Sequence, residues 1–207
     1  MTVHAGNKNK GISTETLNLV LAICAILISG ASFYATYLQA NSAEKQVKAM
    51  TLPLIQFSHG NFDDEKNSRT INFDLKNAGV GPAIIKNVTF KYKDNEYNSI
   101  WKFFSACCEQ ELKSFQSKQR NNSASEKNID KGGWVSQQLA NVIIPGQSNY
   151  SFQKVNYGSQ TQEFWDKLDE DRWLLKLNIC YCSLLEECFI TEQSGVVDQV
   201  DSCPPRN

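Results

Sequence analysis

Residues 17–38 read LNLVLAICAILISGASFYATYL, an uninterrupted run without a charged side chain. About 20 such residues, rising roughly 1.5 Å each, cross a hydrocarbon core of about 30 Å, so this run predicts a membrane-spanning helix. A cleaved signal peptide has a shorter apolar core, roughly 7 to 15 residues, followed by small residues before the cut. Cuts after Ala40 or Ala43 would put Leu38 or Asn41 where a small side chain belongs, so the run reads as an uncleaved anchor. A buried core helix would have to be apolar all round, and a small domain rarely hides such an element.

Phe33, Tyr34 and Tyr37 gather near the end of the run, where amphipathic rings favour the headgroup layer. Residues 39–51 are rich in Ala, Glu, Lys and Gln, which extend a helix, and Pro53 stops it; they predict a helical stalk. Ala22, Ala25, Ser29, Ser32 and Thr36 recur at three- and four-residue steps and share one face. Small residues on one face let helices approach closely in lipid, which points to self-association through the helix; equally, Ala and Ser are common in such helices. For orientation, Lys8 and Lys10 before the run balance Lys45 and Lys48 after it. A short tail with a free amine ahead of a first anchor favours keeping residues 1–16 in the cytoplasm. That predicts a single-pass protein of the cell (inner) membrane with its C-terminal domain on the extracytoplasmic side.

Residues 52–195 carry the signature of a β-rich domain, followed by a C-terminal tail at 196–207. Over 69–77, Ile71, Phe73 and Leu75 alternate with Asn72, Asp74 and Lys76, the period of a strand with one buried face. Residues 52–57 and 88–92 predict neighbouring strands. The connection 77–83, NAGVGPA, reads as a turn in which glycines open backbone angles closed to other residues and Pro82 fixes φ. A phosphate-cradling loop would need a following helix and a lysine, and neither is there. Residues 142–144 and 150–155 flank a second turn, Pro145-Gly146-Gln147-Ser148, and 173–182 hairpins through 183–187 into 188–191. Residues 161–170 predict one short helix with Phe164, Trp165 and Leu168 on a face. Its carboxylates Glu163, Asp166, Asp169 and Glu170 read as a solvated face. Residues 109–133 are polar and without period, and predict a surface insertion. The fold class that follows is mainly β: an N-terminal transmembrane helix and stalk, then an immunoglobulin-like β-sandwich with a short helix.

Of seven cysteines, Cys24 lies in the anchor, and Cys107, Cys108, Cys180, Cys182, Cys188 and Cys203 lie beyond it. An even set in an exported domain suggests disulfides. Cys180 and Cys182 stand two apart on a strand, about 6.5 to 7 Å, too far to bond one another, so each needs another partner. Cys188 on the returning strand is the nearest candidate, and the vicinal Cys107 and Cys108 are the next. Cys-x-Cys with Cys188 also begins a zinc cage whose fourth ligand is unassigned, and ordinary reduced thiols are a third reading.

A stalk ending at Pro53, the turn Asn77 to Ala83, Pro145-Gly146, and Cys180 to Ser183 with Glu187-Cys188 occur together in this chain. In these features it resembles a group of uncharacterised bacterial membrane-anchored proteins. Phe189 stands where that group carries tryptophan. The resemblance implies an anchored sandwich and no activity.

With 21 basic and 22 acidic residues, the net charge of -1 gives no basic field for a phosphate backbone, which argues against nucleic acid as a partner. The two histidines, His4 and His59, have no nucleophile or metal partner nearby in sequence. No catalytic residues, metal ligands or cofactor are assigned. The expected function is a membrane-anchored, non-enzymatic binding or accessory module with a protein partner. Its alternatives are a structural subunit of a larger membrane assembly, or a thiol-based enzyme using Cys107-Cys108 or Cys180 and Cys182.

Overall fold

The computed structural model describes residues 13–121, 132–192 and 197–205. Lys8, Lys10 and His4 of the tail, and 122–131 of the polar insertion, lie outside the described residues. The chain divides into two units, Met1–Ala49 and Met50–Asn207.

The first unit is built on α1, Thr14–Thr51, a continuous helix that joins the predicted anchor and stalk and buries no residue. Ser13 starts it, its Oγ accepting from Thr16 N at 3.3 Å, as an N-cap serine does. Pro53 follows its end, and Glu44 pairs with Lys48 one turn apart at 3.5 Å. Its apolar window has a mean hydropathy of 2.1, so by length and composition α1 can cross a membrane.

The second unit runs β1 Ile55–Gly60, β2 Thr70–Asn77, β3 Ala83–Tyr92, β4 Asn95–Tyr97, α2 Ile100–Cys107, α3 Glu109–Asn121, β5 Gly133–Ser136, β6 Ile143–Ile144, β7 Ser148–Asn156 and α4 Gln162–Asp171. A 3-10 turn, Arg172–Leu174, then leads into β8 Leu175–Cys182, β9 Cys188–Glu192 and β10 Val197–Val200. One sheet has the order β1-β2-β7-β5, and the other β10-β9-β8-β3-β4, with β6 also on β3. The strand pairs are antiparallel. The predicted inward face of β2 is fully buried at Ile71, Phe73 and Leu75, but the other face is not simply solvated: Asp74 is buried too, Asn72 is half-buried, and only Lys76 is exposed. Phe90 of β3 meets Phe152 of β7 edge-on at 6.2 Å, which joins the two sheets in one core.

Among the described residues, three α-helices stand in this unit where one was expected. The insertion read as lacking structure is helical up to Asn121, and the reason is a stripe hidden in polar sequence. Cys108, Leu112 and Phe115 follow the i, i+4, i+7 spacing of one helical face and are buried. Phe115 packs on Trp134 at 4.6 Å, and Phe104 of α2 meets Phe164 of α4 at 5.3 Å. Ser99 caps α2, its Oγ accepting from Lys102 N. The domain also continues past residue 195: β10 pairs with β9 in the stretch read as a tail.

The turn motifs have a different cause from the one expected. Gly79, Gly81 and Gly146 have no positive φ. They are places where chains pass too close for a side chain. A Cβ on Gly81 would collide with the Thr51 carbonyl, and one on Gly146 with the Val80 carbonyl. Asn77, fully buried, fastens this crossing. Its Oδ1 accepts from Leu54 N at 3.1 Å and Gly79 N at 3.0 Å. Its Nδ2 donates to the carbonyls of Gly81 at 2.8 Å, Pro145 at 3.1 Å and Ile144 at 3.2 Å. One amide thus ties three segments whose backbone groups would otherwise be buried unpaired.

Candidate functional site

The β8–β9 hairpin gathers four cysteines. Cys182 stands directly opposite Cys188 in the register, and their sulfurs lie at disulfide distance. Alternation along β8 puts Cys180 on the same face as Cys182. Its partner at disulfide distance is Cys203. Cys188 was the expected neighbour, but Cys107 and Cys108 do not supply the next sulfur. The reason is β10: Val200 pairs with Cys188, and the chain three residues later brings Cys203 back over β8. Cys107 and Cys108 instead pair with each other at the α2–α3 junction. The Cys203 sulfur also lies 3.9 Å from that of Cys182, so the two hairpin pairs touch.

The hairpin loop is held closed on itself. Ser183 N donates to Glu187 O at 2.8 Å, Glu186 N to Ser183 O at 3.2 Å, and Leu185 N to Ser183 Oγ at 3.1 Å. Glu186 takes a φ of 63°, which tightens the turn. The outcome is a braced tip on which Leu184 and Leu185 are 59% and 47% exposed. Because Cys182 pairs with Ile84 at the start of β3, the tip shares one end of the unit with turn 77–82 and with β6. Val80 and Ile143 are exposed at that same end. Large apolar side chains grouped on loops over a rigid scaffold are typical of contact surfaces.

Two groups among the described residues bring three metal-type ligand atoms within 4.8 Å: Cys182, Cys188 and Cys203, and Cys107, Cys108 and Asp171. A sulfur in a disulfide is not the thiolate that holds zinc, and each of these cysteines has another sulfur at disulfide distance. Asp171 is ion-paired with Lys167 at 2.8 Å. The helix face of Ala22, Ala25, Ser29, Ser32 and Thr36 is exposed along α1. The Thr36 hydroxyl donates back to Ser32 O at 2.8 Å, which satisfies it within the helix.

One constellation was missed. His59 on β1 has a partner that is neither a nucleophile nor a metal ligand: its Nδ1 contacts the Arg172 guanidinium. Arg172 is buried and donates from Nε to Asp169 Oδ1 at 2.7 Å. It also lies 4.4 Å from the ring of exposed Trp173. Burial, then the Arg172 charge, hold the His59 pKa below its ordinary value of 6.5, against a smaller opposing pull from Asp169. An always-charged arginine donating to Nδ1 selects the neutral imidazole. His59 and Arg172 are 113 residues apart, so within this cluster only the three-residue spacing of Asp169 and Arg172, across the end of α4, is local in sequence. The carboxylates read as one solvated face therefore divide, with Asp169 taken into this cluster. A separate recess of about 190 Å³, lined in part by Asn87, Asn98, Trp101, Gln138 and Phe152, opens beside the start of α2.

Compared with protein-family models, with curated proteins and with solved structures, the chain matches none.

Proposed function

We propose that this chain is a single-pass membrane protein that holds a non-enzymatic binding module on the extracytoplasmic side of the cell membrane. The observation that carries this reading is a contrast within one chain. Helix α1 is apolar and covers nothing, while all six cysteines beyond it lie in pairs at disulfide distance. Such pairs persist in oxidising compartments. The module is an immunoglobulin-like sandwich, a reading supported by strand order. The orders β1-β2-β7-β5 and β9-β8-β3-β4 correspond to A-B-E-D and to G-F-C extended by C′, with β10 added beyond G. The contact surface is the end bearing Leu184, Leu185 and Val80, and the partner is a protein offering an apolar pocket to the hairpin tip.

The test is an impermeant thiol reagent applied to intact cells before and after reduction. The expected result is labelling of the hairpin cysteines only after reduction, together with photocrosslinks from position 184 to a protein partner. Labelling that requires permeabilised cells would put the domain inside and overturn the reading. A probe at 184 that crosslinks to nothing in native membranes would remove the hairpin from the contact.

A further inference from the structure

The sulfurs of the hairpin are arranged as more than two independent staples. Cys182 and Cys203 belong to different pairs, yet their sulfurs lie 3.9 Å apart, about van der Waals contact for two sulfur atoms. Cys203 sits in 201–205, past the last strand, so it can shift toward Cys182 without breaking a strand pairing. Of the strand cysteines Cys188 is the least covered, 8% exposed against 5% for Cys182 and 3% for Cys180, so the hairpin bond is entered from its Cys188 side; Cys203 is half-buried.

We propose that Cys182–Cys188 and Cys180–Cys203 form one thiol–disulfide exchange relay, whose substrate is a dithiol and whose product is a Cys182–Cys203 bond. A thiolate of the dithiol attacks the Cys188 sulfur. A mixed disulfide forms, the Cys182–Cys188 bond breaks, and the electron pair leaves on the Cys182 sulfur. That thiolate attacks the neighbouring Cys203 sulfur. The Cys182–Cys203 bond forms, the Cys180–Cys203 bond breaks, and Cys180 leaves as a thiolate and takes a proton. The second thiol of the reductant then resolves the mixed disulfide, closing its own disulfide and releasing Cys188 as a thiol. One dithiol is oxidised by two electrons, and two protein disulfides become one disulfide and two thiols. Attack on Cys180 instead would release Cys203, which reaches Cys182 across the same 3.9 Å gap and gives the same product.

The exchange would act on the proposed contact surface. It removes the cross-strand clamp below Leu184 and Leu185 and ties the C-terminal segment to the last residue of β8. The chemistry rests on the same oxidised pairing as the proposed function, but not on any partner. Cys107 and Cys108 provide an internal control, since each is already the other's neighbour in sequence.

The experiment treats the full-length Cys24→Ser protein in native membranes with limiting dithiothreitol, quenches with an alkylating reagent, and maps linked peptides without further reduction. The expected singly reduced species links Cys182 to Cys203, with Cys180 and Cys188 alkylated, and a Cys203→Ser variant does not form it. Singly reduced protein that retains only native pairs would overturn the relay and leave the proposed function standing. Links from the hairpin to Cys107 or Cys108 would show general scrambling and overturn it as well. Six free thiols before any reductant would remove the oxidised pairing, and with it both proposals.

Discussion

Helix α1 and the helices of the second unit solve opposite problems. Across 38 residues α1 buries nothing, whereas α2 buries Ile100, Phe103 and Phe104 within 8 residues. Helix α4 likewise buries Phe164, Trp165 and Leu168, and keeps Glu163, Asp166 and Glu170 on its exposed side. An amphipathic helix carries its own boundary between core and water, so a sheet on one side suffices to hold it. A helix apolar all round has no polar side to give to water and needs a second apolar phase. The difference teaches that apolar content alone does not assign a helix to a core; the distribution of that content around the axis does.

The largest effect that sharpens this contrast is expected in α2. Phe104 is fully buried and touches Phe73 at 6.3 Å and Phe164 at 5.3 Å, so it bridges a strand and a helix. Phe104→Ala should cost about 3 to 5 kcal/mol, a large part of a typical domain's stability. It would be seen as a lower urea midpoint for the β domain of the full-length protein in detergent. Ile26→Ala on α1 should leave that midpoint unchanged, because Ile26 is 71% exposed. Equal losses from the two substitutions would break the contrast.

The next effect belongs to α1. Arginine at the centre of a spanning helix costs about 2.5 to 3.5 kcal/mol for insertion, so Ile26→Arg should shift much of the protein from the carbonate-resistant membrane fraction to the extract. The urea midpoint of the β domain, read on the full-length variant in detergent, should not move. Full retention of the variant in the membrane would mean that α1 is not held there by its apolar surface.

Much of this was legible in the sequence, and what was not shares a physical cause. The long apolar helix, the β2 strand and the approach of Cys188 to Cys182 follow from local period or from a short hairpin. Helix α4 was found to within one residue at each end, because three large apolar side chains mark its face. Helix α3 was not, because its buried stripe uses a cysteine, one leucine and one phenylalanine amid EQELKSFQSKQR. Strand β10, VDQV, lies at a sheet edge and has half-buried valines at its two ends, so its alternation is too short to register. The glycines were recognised as turn residues, but their reason is contact with Thr51 and Val80, which no local pattern reveals. For α3 and for the glycines the missing information was a partner distant in sequence; for β10 it was length.

The smallest expected effect sits where α4 ends. The apolar run of α1 carries no histidine and no charged side chain, whereas the end of α4 is fastened to β1 through Asp169, Arg172 and His59. Asn61 adds a 3.4 Å contact from its side-chain amide to Asp169 Oδ2, and Phe57 and Trp173 flank the imidazole at 5.7 and 4.9 Å. With the folded pKa of His59 below 6.5, the unfolded chain binds the extra proton first as pH falls. Its contribution is therefore complete above pH 6.5 and is lost as pH drops from there through the lower folded value. The urea midpoint of the β domain should fall between pH 7.5 and 5.5. His59→Gln, which stays neutral throughout, should show a smaller fall over the same interval. A variant that loses as much as the parent would assign the acid sensitivity to a group other than His59.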